Sequence, residues 1–158
     1  MHITESTRRG LLIALLGYSA LLGVALLAPT SGTQSEMASW VSDLGTWVGF
    51  SPETANQGRA EFVCNVVILA PVSLLGSLLW PRTTWRDWTA YTFVIAGLVE
   101  LTQGLVLPGR TASYVDITAN TLGGLVGAVL VLLSRRRTAA GTPPTPPAAP
   151  APDPDPRS

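Results

Sequence analysis

The chain contains no lysine: all ten of its basic residues are arginine, and ten acids balance them. Zero formal net charge gives no electrostatic reason to expect a nucleic-acid partner. Cysteine and histidine occur once each, as Cys64 and His2. No intramolecular disulfide can form, and the ligands of a His/Cys metal site are missing. Nor does the sequence supply a nucleophile motif or a Gly-rich phosphate loop, so no catalytic residue, metal or cofactor is assigned. Charge is scarce overall, 13% of residues against about 25% in soluble domains. With 47% hydrophobic residues and a mean hydropathy of +0.35, the composition is that of a membrane protein.

Four apolar runs are present. Residues 10–28 follow a short polar start, 1–9, that carries Arg8 and Arg9. At 19 residues the run is close to the ~20 that a helix needs to cross the hydrocarbon layer. The same pattern also describes a secretory signal peptide, which leaves retention or cleavage of this segment open. Residues 61–80, 88–107 and 114–133 complete the set, the second run holding Pro71, which predicts a kink. Between the first two, residues 29–60 are polar. Within them Met37, Trp40, Val41, Leu44, Trp47 and Val48 recur at three- and four-residue steps. That is an amphipathic helix, lying either in the headgroup layer or against the bundle through the same stripe. Trp80, Trp85 and Trp88 read as interface anchors, and Asp87 as a solvated loop charge. From residue 138 to 158 the chain is rich in Pro and Ala and is expected to be disordered. Arg8, Arg9, Arg82, Arg86 and Arg135–Arg137 fall on one side of the spans, Arg59 and Arg110 on the other. By arginine bias this predicts an all-α, four-helix transmembrane bundle over residues 10–137, with both termini in the cytoplasm and an outer amphipathic connection.

Acids and amides interrupt three of the runs. A carboxylate in hydrocarbon costs at least ~2.5–3.5 kcal/mol, so each one needs a reason. Glu61 and Asn65 are spaced by four, Glu100 and Gln103 by three, and Asp116 and Asn120 by four, so each pair shares one helix face. At 1.5 Å per residue all six lie within roughly 10 Å of the outer ends of their helices. The spacing therefore predicts one convergent polar cluster in the outer half of the bilayer, with Arg59 and Arg110 at its mouth. Gly123, Gly124 and Gly127 would let the last helix be approached closely. Interhelical glue would use the same residue types, but amides and hydroxyls serve that purpose with less desolvation than three acids.

These residues carry a resemblance. Glu61–Pro71, EFVCNVVILAP, resembles the E-x3-N-x5-P segment of the VanZ-like family. The series Glu100-x2-Gln103, Arg110, Asp116-x3-Asn120 and Gly123 resembles that family's second half. The sequence departs from the pattern at Leu69 and Ser73, where an aromatic and a glycine are common, and at Ser113 and Val115, where acids are common. The resemblance implies a small protein of the bacterial cell membrane, in a family linked in part to reduced susceptibility to glycopeptides such as teicoplanin. The expected role is binding of an envelope lipid or lipid-linked precursor through Arg59, Glu61, Asn65, Glu100, Gln103, Arg110, Asp116 and Asn120. Two rival readings use the same acids: a membrane-embedded acid/base hydrolase or transferase, and a small proton-coupled transporter.

Overall fold

The computed structural model describes residues 4–27, 32–106 and 113–141. They form five helices: α1 (Glu5–Leu27), α2 (Gly32–Trp47), α3 (Gln57–Leu79), α4 (Trp85–Val106) and α5 (Tyr114–Ala140). Four of these, α1, α3, α4 and α5, are long and apolar enough to cross a membrane. No strand occurs among the described residues.

The helices exceed the apolar runs where local chemistry extends them. At α1 the Thr4 hydroxyl accepts from the Thr7 N–H (3.3 Å), and Glu5 pairs with Arg9 at 3.5 Å, so the helix begins five residues before the apolar stretch. Asn56 caps α3 by accepting from the Arg59 N–H (3.0 Å). Three residues expected in the disordered tail, 138–140, belong instead to α5. Its last turn carries Arg137 against the helix dipole, and the Gly141 N–H donates to the Arg137 carbonyl. Residues 142–158, the remainder of that tail, lie outside the described set.

The packing is inside-out relative to a soluble bundle. Most buried positions are small or polar, Ala60, Ser73, Ser77, Thr92, Ala96, Ala119, Gly123, Gly124, Gly127 and Ala128 among them; Leu15, Leu69, Leu79 and Val131 are the larger apolar side chains that join them. Large apolar side chains such as Ile13, Val24, Val67, Phe93, Leu105 and Leu130 face outward. Without a hydrophobic drive between helices in lipid, close backbone approach has to hold the bundle together. A Cβ added at Gly123 would sit 2.5 Å from the Val66 carbonyl oxygen and 2.8 Å from the Leu69 Cβ. One added at Gly127 would strike the Ala70 carbonyl and the Ser73 hydroxyl. The offset between contacting residues stays nearly constant along the pair, so α3 and α5 run parallel. Gly124 meets Thr92 on α4, whereas Glu100 lies near Ser113, so α4 runs antiparallel to α5.

α3 runs through Pro71 as one helix. Proline leaves the Val67 carbonyl without its helical donor. Beside it the Ile68 carbonyl accepts from the Tyr18 hydroxyl at 2.7 Å, which fastens α1 to α3. α2 packs on α3, but not through its apolar stripe. Its packed side carries buried Ala38, Ser42 bonded to the Ala55 carbonyl, and Gly45 against the Ala55 Cβ. Trp40, Leu44, Trp47 and Val48 are exposed, and Val41 is half-buried; the side chain of Met37 lies outside the described set. Of the two expectations for this stripe, packing on the bundle is therefore excluded for its tryptophans.

Candidate functional site

Two helices start on the same short pattern, and the difference between them defines the site. At α4 the pattern is Thr84-x-x-Asp87. The Thr84 N–H donates to Asp87 Oδ2 (2.7 Å) and the Asp87 N–H to the Thr84 hydroxyl (3.4 Å), a capping box closed within four residues. Asp87 is thus a helix cap and not a free loop charge. At α5 the pattern is Ser113-x-x-Asp116. Here the Ser113 hydroxyl accepts from the Asp116 N–H (3.2 Å), but the return arm is missing. The Ser113 N–H donates instead to Glu100 Oε2, 2.7 Å away on α4. Asp116 is thereby released from its own cap, and its Oδ1 accepts from Asn65 Nδ2 on α3 at 2.9 Å.

Those two bonds join α3, α4 and α5 at one end of the bundle, the end to which residue spacing assigns the polar faces. Glu100, Gln103 and Asn120 are buried, and Asn65 and Asp116 half-buried. None of these five points wholly to lipid. Asn120 sits one turn deeper than Asp116. Its neighbours on the helix, Gly123 and Gly124, touch α3 and α4 respectively, so Asn120 lies on the seam between all three helices. Its Oδ1 is buried and has no hydrogen-bond partner among the described residues. An unpaired amide oxygen away from water costs ~1–3 kcal/mol. It is therefore a strong acceptor for an incoming hydroxyl, ammonium or water.

The remaining residues expected in the cluster stand apart. Glu61 is half-buried one turn above Asn65 and accepts from Gln57 Nε2 at 3.2 Å, at the rim rather than inside. Arg59 is exposed, and its guanidinium donates to the carbonyls of Glu53 (3.3 Å) and Thr54 (3.4 Å), turned toward the preceding loop. Arg110 lies outside the described residues. Gly123, Gly124 and Gly127 lie where α5 closely approaches α3 and α4, and Pro71 is half-buried within α3. Ser113 is the site residue that spacing arguments passed over. Its signal is the Ser-x-x-Asp start, legible as a cap but not as a bond borrowed from another helix.

The family model described as VanZ/LLP1 matches residues 11–135, most of the chain. This chain belongs to the VanZ/LLP1 family. Its match covers α3 and α4 whole, most of α1 and α5, and every polar residue of the cluster. No curated protein and no solved structure matches. The VanZ/LLP1 assignment agrees with the E-x3-N-x5-P segment and the Glu100–Gly123 series read from the sequence.

Proposed function

We propose that this VanZ/LLP1 protein binds the headgroup of an envelope lipid or lipid-linked precursor at the cluster of Asn65, Glu100, Gln103, Asp116 and Asn120. In this reading the cluster lies in the outer leaflet of the bacterial cytoplasmic membrane, and both termini are cytoplasmic. Glu61 and Arg59 flank the entrance. Arg110, in the connection between α4 and α5, supplies a guanidinium for phosphate. The ligand's hydroxyl or ammonium group donates to the Asn120 carbonyl oxygen. Sequestering a precursor in this way lowers the target available to a glycopeptide antibiotic.

One observation carries the reading: a buried amide oxygen with no partner among the described residues, directly beneath a carboxylate that its own helix cap has given up. A purely structural arrangement would gain by closing the Ser113-x-x-Asp116 box locally and filling position 120 with an apolar residue.

The test is purification of the wild type, Asn120→Leu and Arg110→Ala in mild detergent, followed by mass spectrometry of co-purifying lipid. Both variants should lose the lipid-linked species by at least about tenfold, the equivalent of ~1.4 kcal/mol. Asn120→Leu should stay as thermally stable as the wild type or gain by up to ~1 kcal/mol, because an unpaired acceptor has been removed. Unchanged retention in both variants sinks the reading. Cells expressing the wild type should tolerate more teicoplanin than cells expressing Asn120→Leu.

A further inference from the structure

The opposite end of the bundle has a different chemistry. α3 stops at Leu79, α4 starts at Trp85, and the last turns of α5 carry Arg135, Arg136 and Arg137. Arg135 Nη2 donates to the Ser77 carbonyl at 2.6 Å, tying the end of α5 to the last turn of α3. That bond brings the turn with Arg136 and Arg137 to the end of the bundle where Arg82 lies in the α3–α4 connection and Arg86 in the first turn of α4. These four arginines are exposed, and among the described residues the one ion pair in the protein is Arg9–Glu5, which uses none of them. The acid nearest in sequence, Asp87, is occupied by Thr84.

Aromatic residues line the same end. Trp88 packs against Gly76 and donates from Nε1 to the Thr83 hydroxyl at 2.9 Å. It lies 6.3 Å from Trp80 and 5.8 Å from Tyr91, ring centroid to centroid. The Arg86 guanidinium carbon lies over the Trp85 ring, 5.3 Å from its centroid. Next to these arginines along the helices, Phe93 and Val94 on α4 and Leu130 and Leu133 on α5 are exposed and apolar.

We propose that Arg82, Arg86, Arg136 and Arg137 form a second lipid site, separate from the cluster beneath Ser113, that takes anionic phospholipid headgroups. Charge complementarity selects a phosphodiester without a compensating amine. The apolar surface beside the arginines takes the acyl chains, which a free phosphate lacks. Each guanidinium near an anionic surface is worth about 1 kcal/mol, roughly fivefold in affinity. Four of them are enough for a clear preference over zwitterionic lipid even after screening.

The experiment is native mass spectrometry of the full chain in detergent micelles doped with equal phosphatidylglycerol and phosphatidylcholine. The wild type should retain phosphatidylglycerol at least about tenfold over phosphatidylcholine. R82Q/R86Q/R136Q/R137Q should retain the two lipids equally, whereas Glu53→Gln, an exposed acid in the connection before α3 at the other end, should keep the preference. Helical content by circular dichroism shows that the quadruple variant is folded. Should it not fold, the wild type alone decides, because its preference must weaken as salt is raised. Equal retention by the wild type, a salt-insensitive preference, or a folded quadruple variant that still prefers phosphatidylglycerol overturns the proposal. Displacement of the lipid by inorganic phosphate would assign the arginines to free phosphate instead.

Discussion

Asn65 and Asp116 are 51 positions apart and bond at 2.9 Å, which makes them the pair on which convergence can be tested most directly. A double-mutant cycle of Asn65→Ala and Asp116→Ala, read by reversible unfolding in mixed micelles, should give a coupling of roughly 0.5–1.5 kcal/mol. Coupling near zero would mean that the two side chains do not share a site. The two capping serine/threonine positions supply a second contrast. Thr84→Ala breaks a box that is closed on itself and should cost ~1 kcal/mol, with no effect on retention of the lipid-linked species at the Asn65–Asp116 end. Ser113→Ala should cost a similar amount but also reduce retention, because Asp116 then loses the hydroxyl that holds its backbone in place. Which residues come together is legible in the sequence: depth and helix face follow from spacing, so Asn65, Glu100, Gln103, Asp116 and Asn120 gather at one end. The partner of each side chain is not. Glu100 bonding to a backbone N–H thirteen residues on depends on how the α4–α5 turn folds, and periodicity carries no information about that. Arg59 turning back to Glu53 and Thr54 depends likewise on a loop.

For the helices, the apolar runs gave number and order but not ends, since caps such as Asn56 and the Arg137-rich last turn act through hydrogen bonds and charge rather than hydropathy. Their association rests on glycine. Gly127→Leu would drive its new side chain into the Ala70 carbonyl and Ser73, and Gly123→Val would do the same at Val66 and Leu69. Each should lower stability by about 1–3 kcal/mol or more by forcing α3 and α5 apart. Gly97→Ala is the internal control: it meets nothing within 4 Å, so better helix propensity should leave stability unchanged or raise it by up to ~1 kcal/mol. Thermal melts in detergent distinguish the two classes. α2 was foreseen as amphipathic, yet its packed side is Ala38, Ser42 and Gly45, small residues that a hydrophobic stripe does not pick out.

Across the whole molecule, arginine is concentrated at one end. Arg82, Arg86 and Arg135–Arg137 gather there, with Asp87 among them, whereas Glu61, Glu100 and Asp116 lie at the other with Arg59. This asymmetry is the physical basis for the proposed orientation, which labelling can test. In a Cys64→Ala background, Ser51→Cys should react with an impermeant maleimide in intact spheroplasts, and Thr83→Cys only after the membrane is opened. The reverse pattern would place the polar cluster on the cytoplasmic side.

The bond from Ser113 to Glu100 has a consequence for biogenesis. The last helix does not close its own capping box, because the N–H of its N-cap residue is held by a side chain already synthesised thirteen residues upstream. Its insertion is therefore best completed together with its predecessor, as a hairpin leaving the translocon. A chain in which that acid is shortened or neutralised would release the final segment late, exposed to membrane proteases before it has docked.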